Sequence, residues 1–573
     1  MEAVAELLNA FNIRSSGLSV TLSLFLVFLG LLYWYSIYPF SVLSRCGIRH
    51  PKPVPFFGNI FMFRQGFFNP INDLIKTHGR VCGYYLGRKP VVVVADPDML
   101  RQVMVRDFNS FPNRMVRTLS LDEVMIIEFW PVLFHSSVQT LRFHWKRVRS
   151  ILTPSFSAAR MKEMVPLINT ATDALMKNLN VYAESGEAFD IHKCFGCFTM
   201  DVIASVAFAT QVDSQNNPDD PFVRHAQMFF SFSFFRPIML FFIAFPSIVA
   251  PLAGLIPNKR RDQMNQFFIS TIQKIIEQRE EQPPEQRRRD FLQLMLDART
   301  SKESVSVENF ETANHGSELD HVNQRTQAQA LDQDSDHLQP QEAHTRRPQK
   351  KMMTEDEIVG QAFVFLLAGY ETSSNTLAFT CYLLAIHPEC QRKIQEEVDE
   401  FFTRHESPDY TNIQELKYLE MVICEALRLY PPGFRFARDI EHDCIVNGQF
   451  LPKGATLEIP AGFLHYDPEH WPEPERFIPE RFTPEAKSSR HPFVYLPFGA
   501  GPRNCVGMRL AQLEIKMALV HLFSTFNIVA CSDTKVPLEL KSSSTLGPKN
   551  GIFVKITRRD KGILHQPCKK IKQ

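Results

Sequence analysis

Phe498-Gly499-Ala500-Gly501-Pro502-Arg503-Asn504-Cys505-Val506-Gly507 is the stretch on which the reading of this chain turns. Glycines around a cysteine let the backbone approach closely, so that N–H groups point at the sulfur and hold its charge. The apolar run from Val506 onward reads as a helix, and a helix N-terminus favours a negative thiolate. Arg503 offers a fork of donors suited to a carboxylate, such as a haem propionate. This is what a thiolate ligand to haem iron requires, and such a ligand donates electron density to the metal. A lone cysteine in a glycine-rich turn reads as a structural residue instead. The combination of Phe498, Arg503, Cys505 and Gly507 favours the ligand.

Upstream, Thr354 and Glu357 form a capping-box pattern that opens a helix. The run Glu355–Ile386 contains no proline and stops before His387-Pro388. It predicts a helix of about nine turns, or about 48 Å. Apolar on most faces, such a helix passes through the middle of the body. It carries Ala368-Gly369-Tyr370-Glu371-Thr372, where small residues leave room for a flat cofactor. Thr372 has the carbonyls of Ala368 and Gly369 within reach; plain helix packing is the alternative role.

Three further groups stand out. Glu425 and Arg428 share one helix face, and when buried such a pair needs a third partner. Arg481, in Pro479-Glu480-Arg481-Phe482, is the candidate. Trp145 and Arg149 stand four apart on a helical stretch, and Arg438 follows Phe434-Arg435-Phe436-Ala437. Alone, each of these basic residues reads equally well as a solvated face. His192, Cys194 and Cys197 have metal-ligand spacing, but no second pair completes a tetrahedral zinc site.

The N-terminus predicts a membrane anchor. No charge lies between Arg14 and Arg45, and Leu18–Tyr35 is almost wholly apolar. That length crosses a hydrocarbon core of about 30 Å. Tyr33, Trp34, Tyr35 and Tyr38 form an interfacial belt where a signal peptide would carry a small-residue cleavage site. Arg45, Arg49 and Lys52 on the far flank keep the body cytosolic. The expected organisation is an N-terminal segment 1–16, an anchor 17–38, a proline-rich linker 39–60, a body 61–560 and a basic tail 561–573. Strands are expected near Val81–Leu86 and Val91–Val94.

Within the body, 301–353 is polar and poor in large apolar residues, the composition of a disordered surface loop. The phenylalanine-rich stretch 228–257 is broken by Arg236, Pro237, Pro246 and Pro251. It reads as an apolar lid touching the lipid surface rather than a second span. A formal charge of +1 over 573 residues gives no electrostatic footprint for nucleic acid. The eleven cysteines are scattered and odd in number, so no disulfide framework is expected. With 49 Phe and only 24 Gly, the interior suits helices better than turns.

The cysteine loop, Glu425-x-x-Arg428, Arg481 and the central helix occur in the order found in the cytochrome P-450 superfamily, which the chain resembles over nearly everything beyond the anchor. The resemblance implies a mainly α fold with a smaller β-rich subdomain and haem b (iron protoporphyrin IX) with Cys505 as axial thiolate. It implies propionate contacts from Trp145, Arg149, Arg438 and Arg503. It gives Glu425, Arg428 and Arg481 a structural role. Glu371 and Thr372 resemble the acid–alcohol pair that delivers protons to bound dioxygen. Further stretches, including Arg49-His50-Pro51-Lys52-Pro53, Cys82–Arg88, Asp356–Phe363 and Leu546–Gly551, resemble the thromboxane-synthase branch. That branch implies a monomeric isomerase of a lipid endoperoxide, prostaglandin H2, in the endoplasmic reticulum membrane. Thr372 departs from it, since its mammalian members carry isoleucine there. Two alternatives therefore stand: an oxygen- and NADPH-dependent monooxygenase served by a reductase, and a non-catalytic haem sensor or carrier.

Overall fold

A computed structural model describes residues 17–114, 138–230, 237–245, 259–288, 290–300 and 352–560. The N-terminal segment, the basic tail, most of the polar loop and parts of the phenylalanine-rich stretch lie outside these residues.

Helix α1 (Gly17–Ile37) is apolar around its whole circumference, and Leu24, Leu26 and Phe28 are exposed along it. Its 21 residues reach about 31 Å, which matches a bilayer core. It is a candidate membrane anchor. Its last turn docks on the body: the Arg88 guanidinium lies 3.6 Å from the Tyr35 ring centroid, and the Phe56 N–H donates to the Ser36 carbonyl at 3.3 Å.

The β-rich part is a four-stranded sheet. Its strands are β1 (Val81–Leu86), β2 (Lys89–Val94), β3 (Phe436–Asp439) and β4 (Thr456–Ile459), ordered β1-β2-β4-β3. Strands β1 and β2 form a hairpin, as the β-branched and aromatic residues predict, with β2 starting two residues earlier at Lys89. Val91–Val94 is fully buried on both faces, which explains an unbroken apolar run rather than an alternating one. The parallel β2–β4 pairing joins segments far apart in the chain.

The larger part is helical: α2 (Val138–Leu152), α3 (Ala158–Ser185), α4 (Ile191–Phe208), α5 (Glu355–Ile386), α6 (Pro388–Arg404), α7 (Lys417–Leu429) and α8 (Met508–Thr525). Helix α5 has the predicted bounds, and both hydrogen bonds of the Thr354–Glu357 capping box form. It lies against α4, where Gly369 leaves room for Ile203 and the Thr199 hydroxyl donates to the Tyr370 carbonyl at 3.0 Å. Helix α4 is itself long and apolar enough to cross a membrane, but it is mostly buried and serves as a core helix.

Two large hydrophobic cores result, one among the helices and one around the sheet, beside a small cluster of Trp471, Phe482 and Val494. The cysteine loop runs between them: Phe498 packs on the helical core and Ala500 on the sheet core. Behind it Glu425 and Arg428 are fully buried, with Arg428 Nε donating to Glu425 Oε2 at 2.7 Å and Nη2 to Oε1 at 2.8 Å. Arg481 Nε approaches Glu425 to 3.4 Å. The other Arg428 donors reach the carbonyls of His465, Pro474 and Arg476, and the Ile478 N–H reaches Glu425. A buried ion pair is tolerable only with its remaining valences filled in this way.

Candidate haem-thiolate site

The loop geometry follows from its glycines. Gly499 and Gly501 adopt φ of 70° and 69°, in the left-handed region where a Cβ is costly. A Cβ on Gly501 would also collide with the Met104 carbonyl oxygen. The tight turn lets the Cys505 N–H donate to the Phe498 carbonyl at 2.8 Å.

Cys505 is deep among protein atoms, yet its surface is accessible. Both hold together when a side chain lines an internal space. The same is true of the whole stretch from Pro497 to Arg509, none of which is fully covered although it lies between two cores. Burial pushes the Cys505 thiol up, while the N–H groups of Gly507 and Met508 and the Arg149 charge act in the opposite direction. A metal cation in the proton's place is what makes such a sulfur a thiolate.

Helix α5 supplies the opposite wall. Val364 and Ala368 are exposed and Thr372 half-exposed, spaced four apart, while Ala362, Leu366, Tyr370 and Glu371 are buried. One stripe of an otherwise buried helix is therefore open. Phe365 stacks on Phe156 at 5.7 Å, and Phe156 lies beside Gly507, so the stripe and the cysteine loop border one space.

Three arginines line that region. Arg149 grips the residue before the cysteine, with Nη1 3.1 Å from the Asn504 carbonyl and Nη2 2.8 Å from Asn504 Oδ1. Arg503 Nε donates to the Pro112 carbonyl at 2.8 Å, and its guanidinium carbon is 4.1 Å from the Trp145 ring centroid. Arg438 Nη1 reaches only its neighbour's carbonyl, at 2.8 Å, and Nε is buried without a partner. Among the described residues no carboxylate is within ion-pair distance of any of the three. Burial, then the Arg114 charge, pulls Arg438 far below the ordinary arginine range, and Arg503 is pulled down by burial and then by Arg114, Arg438 and Arg149. Guanidinium keeps its proton regardless, so with no described carboxylate to answer it the cluster suits an anionic ligand. Haem would fit this site: its two carboxylates suit the arginines, and its iron suits the Cys505 thiol.

The predicted pair on α5 separates. Thr372 faces the open side, its hydroxyl donating to the Ala368 carbonyl at 2.7 Å. Glu371 is buried on the other side, 3.3 Å from Lys541 Nζ and hydrogen-bonded by Thr545 at 3.2 Å. His192 Nε2 lies 2.7 Å from Asn375 Oδ1. Burial pushes Cys194 up to about 12 and Cys197 up to about 11, so these two are inert thiols. Sequence reasoning missed Asn504, Phe156 and Asn113, whose Oδ1 accepts from Arg503 Nη2 at 3.4 Å. Of these only Asn504 carried a signal, by its place beside Cys505.

The family model described as Cytochrome P450 matches residues 48–319 and 315–556. Thromboxane-A synthases of Macaca fascicularis and Sus scrofa are each 48% identical over 556 residues, covering 97% of this chain and 100% of theirs. Cytochrome P450 3A6 of Oryctolagus cuniculus is 36% identical over 533 residues, 92% of this chain and 95% of its own. With similarity of this extent behind a cysteine loop and an arginine cluster suited to haem, the chain belongs to the cytochrome P450 family.

Proposed function

We propose that the chain is a haem-thiolate isomerase that converts prostaglandin H2 into thromboxane A2. Fragmentation to hydroxyheptadecatrienoic acid and malondialdehyde is the side reaction. The observation that carries this reading is the 48% identity to thromboxane-A synthases along their full length, against 36% for the 3A6 protein. Haem, when bound, supplies an iron centre at which the endoperoxide O–O bond breaks without external electrons.

The chain's own residues do the rest. Cys505, held in place by the Phe498 carbonyl and by Arg149 through Asn504, would supply the thiolate to the iron. Arg438, Arg503, Trp145 and Arg149 would hold the haem carboxylates. The stripe of Val364, Ala368 and Phe365 would exclude water and take the substrate's apolar chains, fixing its orientation in the site. The Thr372 hydroxyl donates to the Ala368 carbonyl, and Glu371 is paired with Lys541. The anchor places the body on the cytosolic face of the endoplasmic reticulum membrane, with Arg45, Arg49 and Lys52 as the positive flank. The protein works as a monomer.

A second reading, an oxygen-dependent monooxygenase needing a reductase, is favoured by the accessible Thr372. Purified protein supplied with prostaglandin H2, but no NADPH and no reductase, separates them. Thromboxane formation is the expected result; turnover only with both additions would favour the second reading.

A further inference from the structure

The open stripe of α5 ends abruptly. Val364, Ala368 and Thr372 are accessible, yet Asn375 and Thr376, on the next turn, are buried. At about 100° per residue, Asn375 leaves the helix within about 20° of the direction of Val364. The stripe is therefore covered at this end. The cover is a hairpin of two short strands, β5 (Leu540–Ser542) and β6 (Leu546–Pro548).

Two α5 side chains four residues apart, Glu371 and Asn375, hold the hairpin. Asn375 Nδ2 donates to the Leu546 carbonyl at 3.0 Å, and Gly547 crosses so closely that a Cβ there would meet the same nitrogen at 3.1 Å. Asn375 Oδ1 lies 2.7 Å from His192 Nε2, so α4 braces the same amide. Glu371 Oε1 accepts from Thr545 Oγ1 at 3.2 Å and lies 3.3 Å from Lys541 Nζ. The rest of the hairpin is tied to the sheet side. The N–H groups of Phe67 and Phe68 donate to the Ser542 carbonyl and Oγ at 2.9 and 3.1 Å, and the Leu546 N–H donates to the Pro432 carbonyl at 3.0 Å. Glu371 is buried and Lys541 half-buried. A buried carboxylate that loses its counter-charge is strongly disfavoured, so this ion pair is the tie whose loss should unseat the hairpin.

We propose that Lys541 and Glu371 are positioning residues: their ion pair, with Asn375, seats the hairpin as the end wall of the substrate space, and that seating decides how often a bound endoperoxide rearranges rather than fragments. The proposal rests on the isomerase reading. Both outcomes balance without an added reactant, since the isomer keeps every atom of the substrate and the two fragments together sum to it. They differ in what must stay together. Reclosure needs the opened ends held in reach of one another, and fragmentation needs one piece to leave. A firmly seated end wall keeps the ends in reach; a loose one lets the piece go.

The test uses the full-length, haem-loaded protein and two readouts: hydrogen exchange of the backbone amides of residues 540–548, and the ratio of thromboxane to fragmentation products. The ratio does not depend on how much enzyme is folded, so a general loss of stability leaves it unmoved. Lys541→Met removes the charge and keeps an unbranched side chain. Exchange in the hairpin should quicken about two- to fivefold, as loss of a half-exposed ion pair allows, and the ratio should fall by a similar factor. Lys541→Arg should keep both at the parent's values. Unchanged exchange or an unchanged ratio in Lys541→Met, or an arginine variant that behaves like the methionine one, would overturn the proposal. A parent protein that makes neither product would instead overturn the isomerase reading and with it the partition, while the exchange readout still decides whether the ion pair seats the hairpin.

Discussion

Two buried arginine clusters in this molecule have opposite character. Around Arg428 every donor has an acceptor and the charge has its counter-charge in Glu425, with Arg481 completing the set. Around Arg438 the guanidinium charges of Arg149, Arg503 and Arg114 gather with no described carboxylate within ion-pair distance of Arg149, Arg438 or Arg503, and Arg438 Nε has no hydrogen-bond partner. Arg428 itself finds all its partners within the chain, while Arg481 Nε makes no hydrogen bond but stands 3.4 Å from the Glu425 carboxylate, and the cluster does a structural job. The second has a deficit of negative charge, and a deficit built into a fold is the imprint of what it binds. Burial alone does not tell the two apart; the inventory of partners does.

The largest expected effect breaks the complete cluster. Arg428→Ala leaves Glu425 buried and uncompensated, which costs about 3–5 kcal/mol. Folded protein should be lost whether or not haem is supplied, as read by denaturation and by yield of soluble protein. The incomplete cluster should respond the other way. Arg438→Gln removes a charge that only its like neighbours meet, so haem-free protein should denature no earlier than the parent. In the haem-loaded protein the same change removes a charge-assisted hydrogen bond of about 1.5–3 kcal/mol. Haem affinity, measured by transfer to a scavenger, should fall about ten- to a hundredfold. The smallest effect sharpens the contrast: Trp145→Ala removes the ring under Arg503, and a cation–π contact contributes about 0.5–2 kcal/mol. Haem affinity should fall by no more than about thirtyfold, with haem-free stability near the parent's. If Arg438→Gln destabilised haem-free protein as Arg428→Ala does, the distinction between the clusters would be lost.

Local signals were legible in the sequence because they act over a few residues. The capping box of Thr354 and Glu357, the proline-free run to Ile386, the hairpin of β1 and β2 and the glycine-framed Cys505 all belong to this kind. Contacts that join distant segments were not legible. Nothing in Glu371 announces Lys541 as its partner. Nothing in Arg149 announces that it grips Asn504, although a propionate was the expectation. The parallel register of β2 with β4 likewise depends on how the chain returns. Arg438 was a candidate from its place in the sequence, but the reason it matters, an unpartnered charge beside two others, exists only in three dimensions.

The central claim is that the sulfur of Cys505 faces the metal of a haem held by the incomplete cluster. The direct measurement is the reduced carbonyl spectrum of purified protein beside that of its Cys505→Ala variant. A band at about 450 nm in the parent, absent in the variant, is the result expected. A variant that kept both the band and its haem, or a parent that bound no haem, would contradict the account.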